Sequence, residues 1–369
     1  MRGMATRIPV LSTFFHVFLG AGTRYQEPVA EGASVDARSL RAFALDLLGR
    51  PPLESEWQRW RTLTRAQLQD ELLVSPEFWA HWFEEQLYYF LLVNNFRPQQ
   101  ERLAAIPREL FEQRLDPREA IHRIALSSSF DQRNPGADTF VTVVLEQLAG
   151  FEITKNQREL EIGKRVYDGA PGTFLGAAAQ SQADLVRNAL ASHSFVQHLL
   201  RREHERLTRS KPGSQELAAW CARFEKDPRC LPGLVREWLE APAYAARLVH
   251  GAPLANRTFV RALYVDLADR LPTFEEAEPL REALDSLADS APLRSITARL
   301  LLDSGKLGLR SPKDLGDVAA WVRTQFLRLF GRAASEAELT EFARVIEEPG
   351  AKLETVLYAL VSSAEYNRC

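Results

Sequence analysis

The chain has 369 residues, 46% hydrophobic and 26% charged, with a formal net charge of −3 at pH 7. That is the composition of a globular protein, long enough for two or three ordinary domains or one elongated array of small ones. The near-neutral charge balance gives no bulk attraction to nucleic acid or acidic membrane, and no run approaches the ~20 apolar residues that a membrane-spanning helix needs.

In chain order, Arg2 and Arg7 precede a short apolar stretch, Ile8 to Leu19, followed by Gly20-Ala21-Gly22. The order loosely fits a signal peptide, although Pro9 and His16 interrupt it. Residues 1–34 are read as an N-terminal segment, a possible signal or arm. A cytoplasmic protein is the favoured reading, and export through residues 1–22 is the alternative.

From Leu40 onward, nearly every periodic segment reads as helix. Leu40, Phe43, Ala44, Leu47 and Leu48 recur at helical spacing, and Leu68, Leu72 and Leu73 repeat the pattern. The helix ends in the turn Asp46-Leu47-Leu48-Gly49-Arg50-Pro51-Pro52, and a stop follows at Ser75-Pro76-Glu77-Phe78. Glycine permits the positive φ that closes a helix, and acidic residues then suit the positive end of the next. A small residue followed three positions later by an aromatic fits an N-cap with a ring anchored one turn on.

Both signals recur. The turn returns at Asp266 to Pro272 with Arg270, at Leu329 to Ser335 with Gly331 and Arg332, and more weakly at Arg206 to Pro212. The stop returns at Ser127 to Phe130, Ser192 to Phe195, Ala241 to Tyr244 and Ser363 to Tyr366, with a degraded copy near Asp303-Ser304. Repetition on this scale predicts five or six stacked helical units and a surface made for contact. The expected divisions are a first module pair over 35–135, modules two and three over 136–252, a fourth over 253–312 and a fifth over 313–369. Asp131 to Asp138 is read as a polar linker, and Thr139 to Leu148 as helix despite its β-branched residues.

Four features invite a chemical reading. The helix from Phe78 to Phe90 carries aromatic residues around too much of its circumference for one face. Trp79, Trp82, Phe83, Tyr88 and Tyr89 are therefore either buried on several sides or a partner-binding patch. The glycine-rich stretch from Gly169 to Gly176 precedes a helix starting near Ser181 or Gln182, but it lacks the Gly-Lys-Ser/Thr of a phosphate loop. A structural loop tucking in Phe174 and Leu175 is the expectation there. His193, His198 and His204 are spaced by five and six, which points their side chains in different directions, and His81 with Glu85 lacks a third ligand. Finally, Cys221, Cys230 and Cys369 form neither a Cys-x-x-Cys nor a haem-attachment pattern, so no metal and no cofactor is expected. Cys221 and Cys230 either meet across a turn or stay as buried thiols.

The residues Leu45 to Pro52 and Ser75 to Trp82 resemble an uncharacterised helical domain family of large exported proteins in planctomycetes and related bacteria, often found beside cytochrome domains. The tail from Phe326 to Asn367 resembles that family's C-terminal module. The same turn and stop are similar to phycobilisome linker domains, which are scaffolds without catalytic residues. The resemblance implies an all-α fold, as tandem helical hairpins in an array or in two to three packed bundles, and a scaffold that engages a protein partner or another copy of itself. The alternative is an exported enzyme, or an accessory subunit of one, with a cleft near residues 169–176. Arg50, Arg270 and Arg332 are expected to satisfy a helix end or a local carboxylate.

Overall fold

The computed structural model describes residues 33–92, 101–305, 307–309 and 311–368. The signal-like stretch 1–22 and Cys369 lie outside the described residues.

The protein is all-α. It opens with α1 (Ala37–Leu48), α2 (Glu54–Trp60), α3 (Arg65–Leu73) and the long α4 (Pro76–Leu91). Short helices follow: α5 (Glu101–Ala104), α6 (Ile106–Phe111), α7 (Pro117–Ala125), α8 (Ser128–Arg133) and α9 (Gly136–Val143). Of these, α6, α7 and α8 pack on α4. The expected linker at Asp131 to Asp138 is therefore corrected: helix occupies both of its ends and only Asn134-Pro135 separates them, with the Asn134 amide donating back to Phe130 O. The helix through Thr139 changes winding at Val144–Leu148, which is a π-helical turn.

After α10 (Gln157–Tyr167) the glycine-rich stretch forms an antiparallel hairpin, β1 (Gly172–Phe174) with β2 (Ala177–Ala179), in register Gly172 to Ala179. The chain returns to helix with α11 (Gln182–Ala191), α12 (His193–Thr208), α13 (Ser214–Lys226), α14 (Leu231–Glu240) and α15 (Pro242–His250). It finishes with α16 (Asn256–Ala268), α17 (Phe274–Asp285), α18 (Ala291–Asp303), α19 (Val318–Phe330), α20 (Glu336–Glu347) and α21 (Leu353–Val361).

Local chemistry explains the boundaries. Gly49 and Gly331 end α1 and α19 in the left-handed region, at φ 70° and 64°. At the stops, Ser75, Ser127 and Ser192 each work twice. Each hydroxyl donates to a carbonyl three residues back and accepts the N–H of the aromatic three residues on. The rings so anchored, Phe78, Phe130 and Phe195, are buried, as are Tyr366, whose N–H donates to Ser363 Oγ, and Tyr244, whose stop begins on Ala241 and has no side-chain cap.

The apolar interior forms two clusters. One runs from Val35 to Tyr244, the other from Leu254 to Tyr366. Helix α1 joins them: Leu40, Phe43 and Leu47 enter the first cluster and Leu45 enters the second. A helix buried around most of its circumference belongs at the centre of a large core, and nine of its twelve residues are buried.

Candidate functional site

The recurring arginines occupy one arrangement three times. Arg50 sits just after the left-handed cap of α1. Its Nη1 and Nη2 grip Glu56 at 2.6 and 2.8 Å, and its Nε and Nη2 grip Glu77 at 2.6 and 2.7 Å. Glu56 is the third residue of α2, where it also accepts the N–H of Leu53, so one carboxylate caps a helix and holds the arginine. Arg332 repeats every contact: Glu338 on one edge at 2.8 and 2.9 Å, Glu365 on the other at 2.6 and 2.7 Å. Glu338 likewise accepts from Ser335 N. Arg270 grips Glu276, the third residue of α17, at 2.7 Å through both Nη groups. In all three, Nη1 also donates to the next residue's carbonyl. Each arginine thus engages a carboxylate, and its bidentate geometry is that of the stronger charge-assisted pairs.

The ionisation states follow. Burial pulls the Arg50 guanidinium down, but Glu56 and Glu77 more than offset it and the net shift is upward. Glu338 and then burial act on Arg332, which also rises. Burial pushes the Glu56 and Glu338 carboxyls up, yet Arg50 and Arg332 hold each below the ordinary carboxylate range.

A second set of charges joins helices distant in sequence. Asp266 on α16 receives both terminal nitrogens of Arg41 on α1, at 2.7 and 3.0 Å, and the hydroxyl of Tyr366 at 2.8 Å. Asp46 on α1 receives the Tyr244 hydroxyl at 2.7 Å and Arg247. In each, an aspartate three residues before a left-handed cap holds the buried tyrosine of a distant stop. Burial and then Asp46 raise the Tyr244 hydroxyl well above the usual range, so it stays a donor. Nearby, Arg261 grips Glu84 at 2.7 and 2.8 Å, and Arg257 pairs with Glu85. Burial raises both carboxyls, but His81 and the two arginines outweigh it, so both lie below the usual range. Glu84 and Glu85 therefore stay ionised near neutral pH, as carboxylates spent on neighbouring cations do.

The remaining expected sites are placed as follows. Trp79, Trp82 and Phe83 are interior residues, only 8%, 1% and 5% exposed. This corrects their reading as a contact patch. The short helices α6 to α8 cover one side of α4 while α1 and α3 cover another, and Phe78, Trp79 and Trp82 stack edge-on. Tyr89 is half-buried, with its hydroxyl 2.9 Å from His198 Nε2 and Arg202 over its ring at 3.8 Å. Tyr88, 42% exposed, reaches the surface. In the hairpin Phe174 is fully buried and Leu175 partly so. His193 pairs with Glu225, His198 with Tyr89, and His204 with Ser210 O, so the three histidines do not converge. Cys221 and Cys230 are free thiols, and burial pushes both upward, Cys221 to about 11. One surface depression of about 390 Å³ is lined by Gln197, Arg201, Lys211, Pro212, Ser214 and Leu217.

The Asp46 and Asp266 locks were not read from the sequence. The signal available was an aspartate at the same place in two turns, Asp46-Leu47 and Asp266-Leu267. No protein-family model, curated protein or solved structure matches the chain.

Proposed function

We propose that this protein is a non-catalytic scaffold of repeated helical units that engages a protein partner or a second copy of itself. The observation that carries the reading is the thrice-repeated arginine clasp at Arg50, Arg270 and Arg332. Charged side chains at these helix ends, and between helices distant in sequence, are directed at one another, which stiffens a stack of helices and keeps its outer faces in fixed register. The resemblance of the turn and stop to linker modules points the same way. Contact surface is available on α18, where Ile296 and Leu300, one turn apart, are 52% and 61% exposed.

The test uses the full chain. Light scattering after size exclusion reports self-association, and cross-linked capture from the native cells reports a partner. The same measurements are made on the Ile296→Asp/Leu300→Asp double variant, whose fold is checked by circular dichroism. A complex formed by the native chain and lost by the folded variant supports the reading. A monomeric native chain that captures nothing, or a turnover dependent on Glu84 or Glu85, refutes it.

A further inference from the structure

Two of the three clasps are closed from within the chain, and the third is open among the described residues. In the closed copies a serine caps a helical turn, and the glutamate two residues later lies on the Nε and Nη2 edge of the arginine. Ser75 and Glu77 serve Arg50 in this way, and Ser363 and Glu365 serve Arg332. Helix α18 ends on the matching serine. Ser304 Oγ donates to Leu301 O at 2.6 Å, as Ser75 Oγ does to Leu72 O at 2.7 Å. Two residues past Ser304 the sequence has Lys306, and an ammonium cannot accept from a guanidinium.

Among the described residues, Arg270 is held on one side only. Glu276 fixes its two Nη groups, and the guanidinium lies over the Tyr264 ring at 5.2 Å. No partner for its Nε–H occurs among the described residues, and its side chain is 42% exposed. A planar fork that is already oriented, with a free two-donor edge, loses little freedom on taking a second carboxylate. Beside it, Leu271 is 44% exposed and offers apolar surface for a residue next to that carboxylate.

Resting on the partner-binding reading above, the geometry points to Arg270 as the receptor for a glutamate from another protein. That glutamate would be presented at a helix start of the Ser-x-Glu-aromatic form and would complete from outside the clasp that Arg50 and Arg332 complete from inside. Both glutamates of this kind that the two closed copies use are engaged within their own chain, so the donor is a different protein and not a second copy.

The probe is a synthetic peptide with the sequence of residues 73–82, which contains Ser75-Pro76-Glu77-Phe78, titrated into the full chain labelled with ¹⁵N-arginine. The expected result is that one Nε–H resonance, missing in Arg270→Ala, shifts and exchanges more slowly with solvent, while the peptide bearing Gln in place of Glu leaves it unmoved. No shift at millimolar peptide, or an equal shift with the Gln peptide, overturns the inference. Partner capture that survives Arg270→Ala but is lost in Ile296→Asp/Leu300→Asp also overturns it, and leaves the scaffold reading standing.

Discussion

Replacing the three clasp arginines by alanine, one at a time, should produce a graded loss of stability. Arg50 is 4% exposed and donates four hydrogen bonds to two carboxylates and a fifth to Pro51 O. Its removal leaves Glu56 and Glu77 facing each other without a cation, and breaking a buried pair in this way costs about 3–5 kcal/mol. Arg332 makes the same contacts but is 28% exposed, so water screens more of them and about 2–3 kcal/mol is expected. Arg270 holds one carboxylate at 42% exposure, where an ion pair contributes at most about 1 kcal/mol. Unfolding entropy of about 2 cal/mol/K per residue makes each kcal/mol worth about 1.3 °C in a chain of this size. Scanning calorimetry should therefore give melting shifts of about 4–7, about 3–4 and no more than about 1.5 °C for Arg50→Ala, Arg332→Ala and Arg270→Ala. High salt should erase the last and spare most of the first. The pH dependence has a definite sign. Glu56 and Glu338 are depressed below 4.5, so their contribution is complete above about pH 4.5 and is lost as the pH falls further. An Arg270→Ala shift equal to that of Arg50→Ala would refute the assignment of the difference to the second carboxylate.

Gly331→Ala should destabilise far more than Gly350→Ala: both have positive φ, but a Cβ at Gly331 lies 2.4 Å from the backbone Cα of Arg38 while none meets Gly350. Chemical denaturation should show about 1 kcal/mol for Gly350→Ala and at least about 2 kcal/mol for Gly331→Ala, and equal values would mean that α1 yields to α19. Tyr366→Phe should cost about 1.5–3 kcal/mol through the lost bond to Asp266, and combining it with Arg41→Ala should fall short of the sum, since both act on one carboxylate. Burial, with Arg202 and Arg201, lowers His198 to about 4 from 6.5. The unfolded chain then binds the extra proton between those values, so stability is full above about pH 6.5 and falls by about 2–3 kcal/mol as the pH drops to 4. His198→Gln should flatten that part of the profile in urea titrations, and an unchanged slope would show that His198 protonates freely in the fold.

The sequence by itself determined what depends on neighbours within a turn or two. Helical periodicity at Leu40 to Leu48, the left-handed stops at Gly49 and Gly331, and the serine-aromatic caps at Ser75 and Ser192 were all legible, because capping and amphipathic spacing are satisfied locally. That Arg50 would meet Glu56 lay within the same range, six residues away. The tertiary structure alone decided that Glu77 completes that clasp, that Asp46 holds Tyr244 and Asp266 holds Arg41 and Tyr366, and that Trp79 and Trp82 turn inward while Tyr88 does not. Those outcomes join residues up to 225 positions apart. A helix with aromatic residues on several sides, as α4 has, carries no mark of which side a neighbour will cover. Only the packing of one helix group on another brings such groups within hydrogen-bond reach.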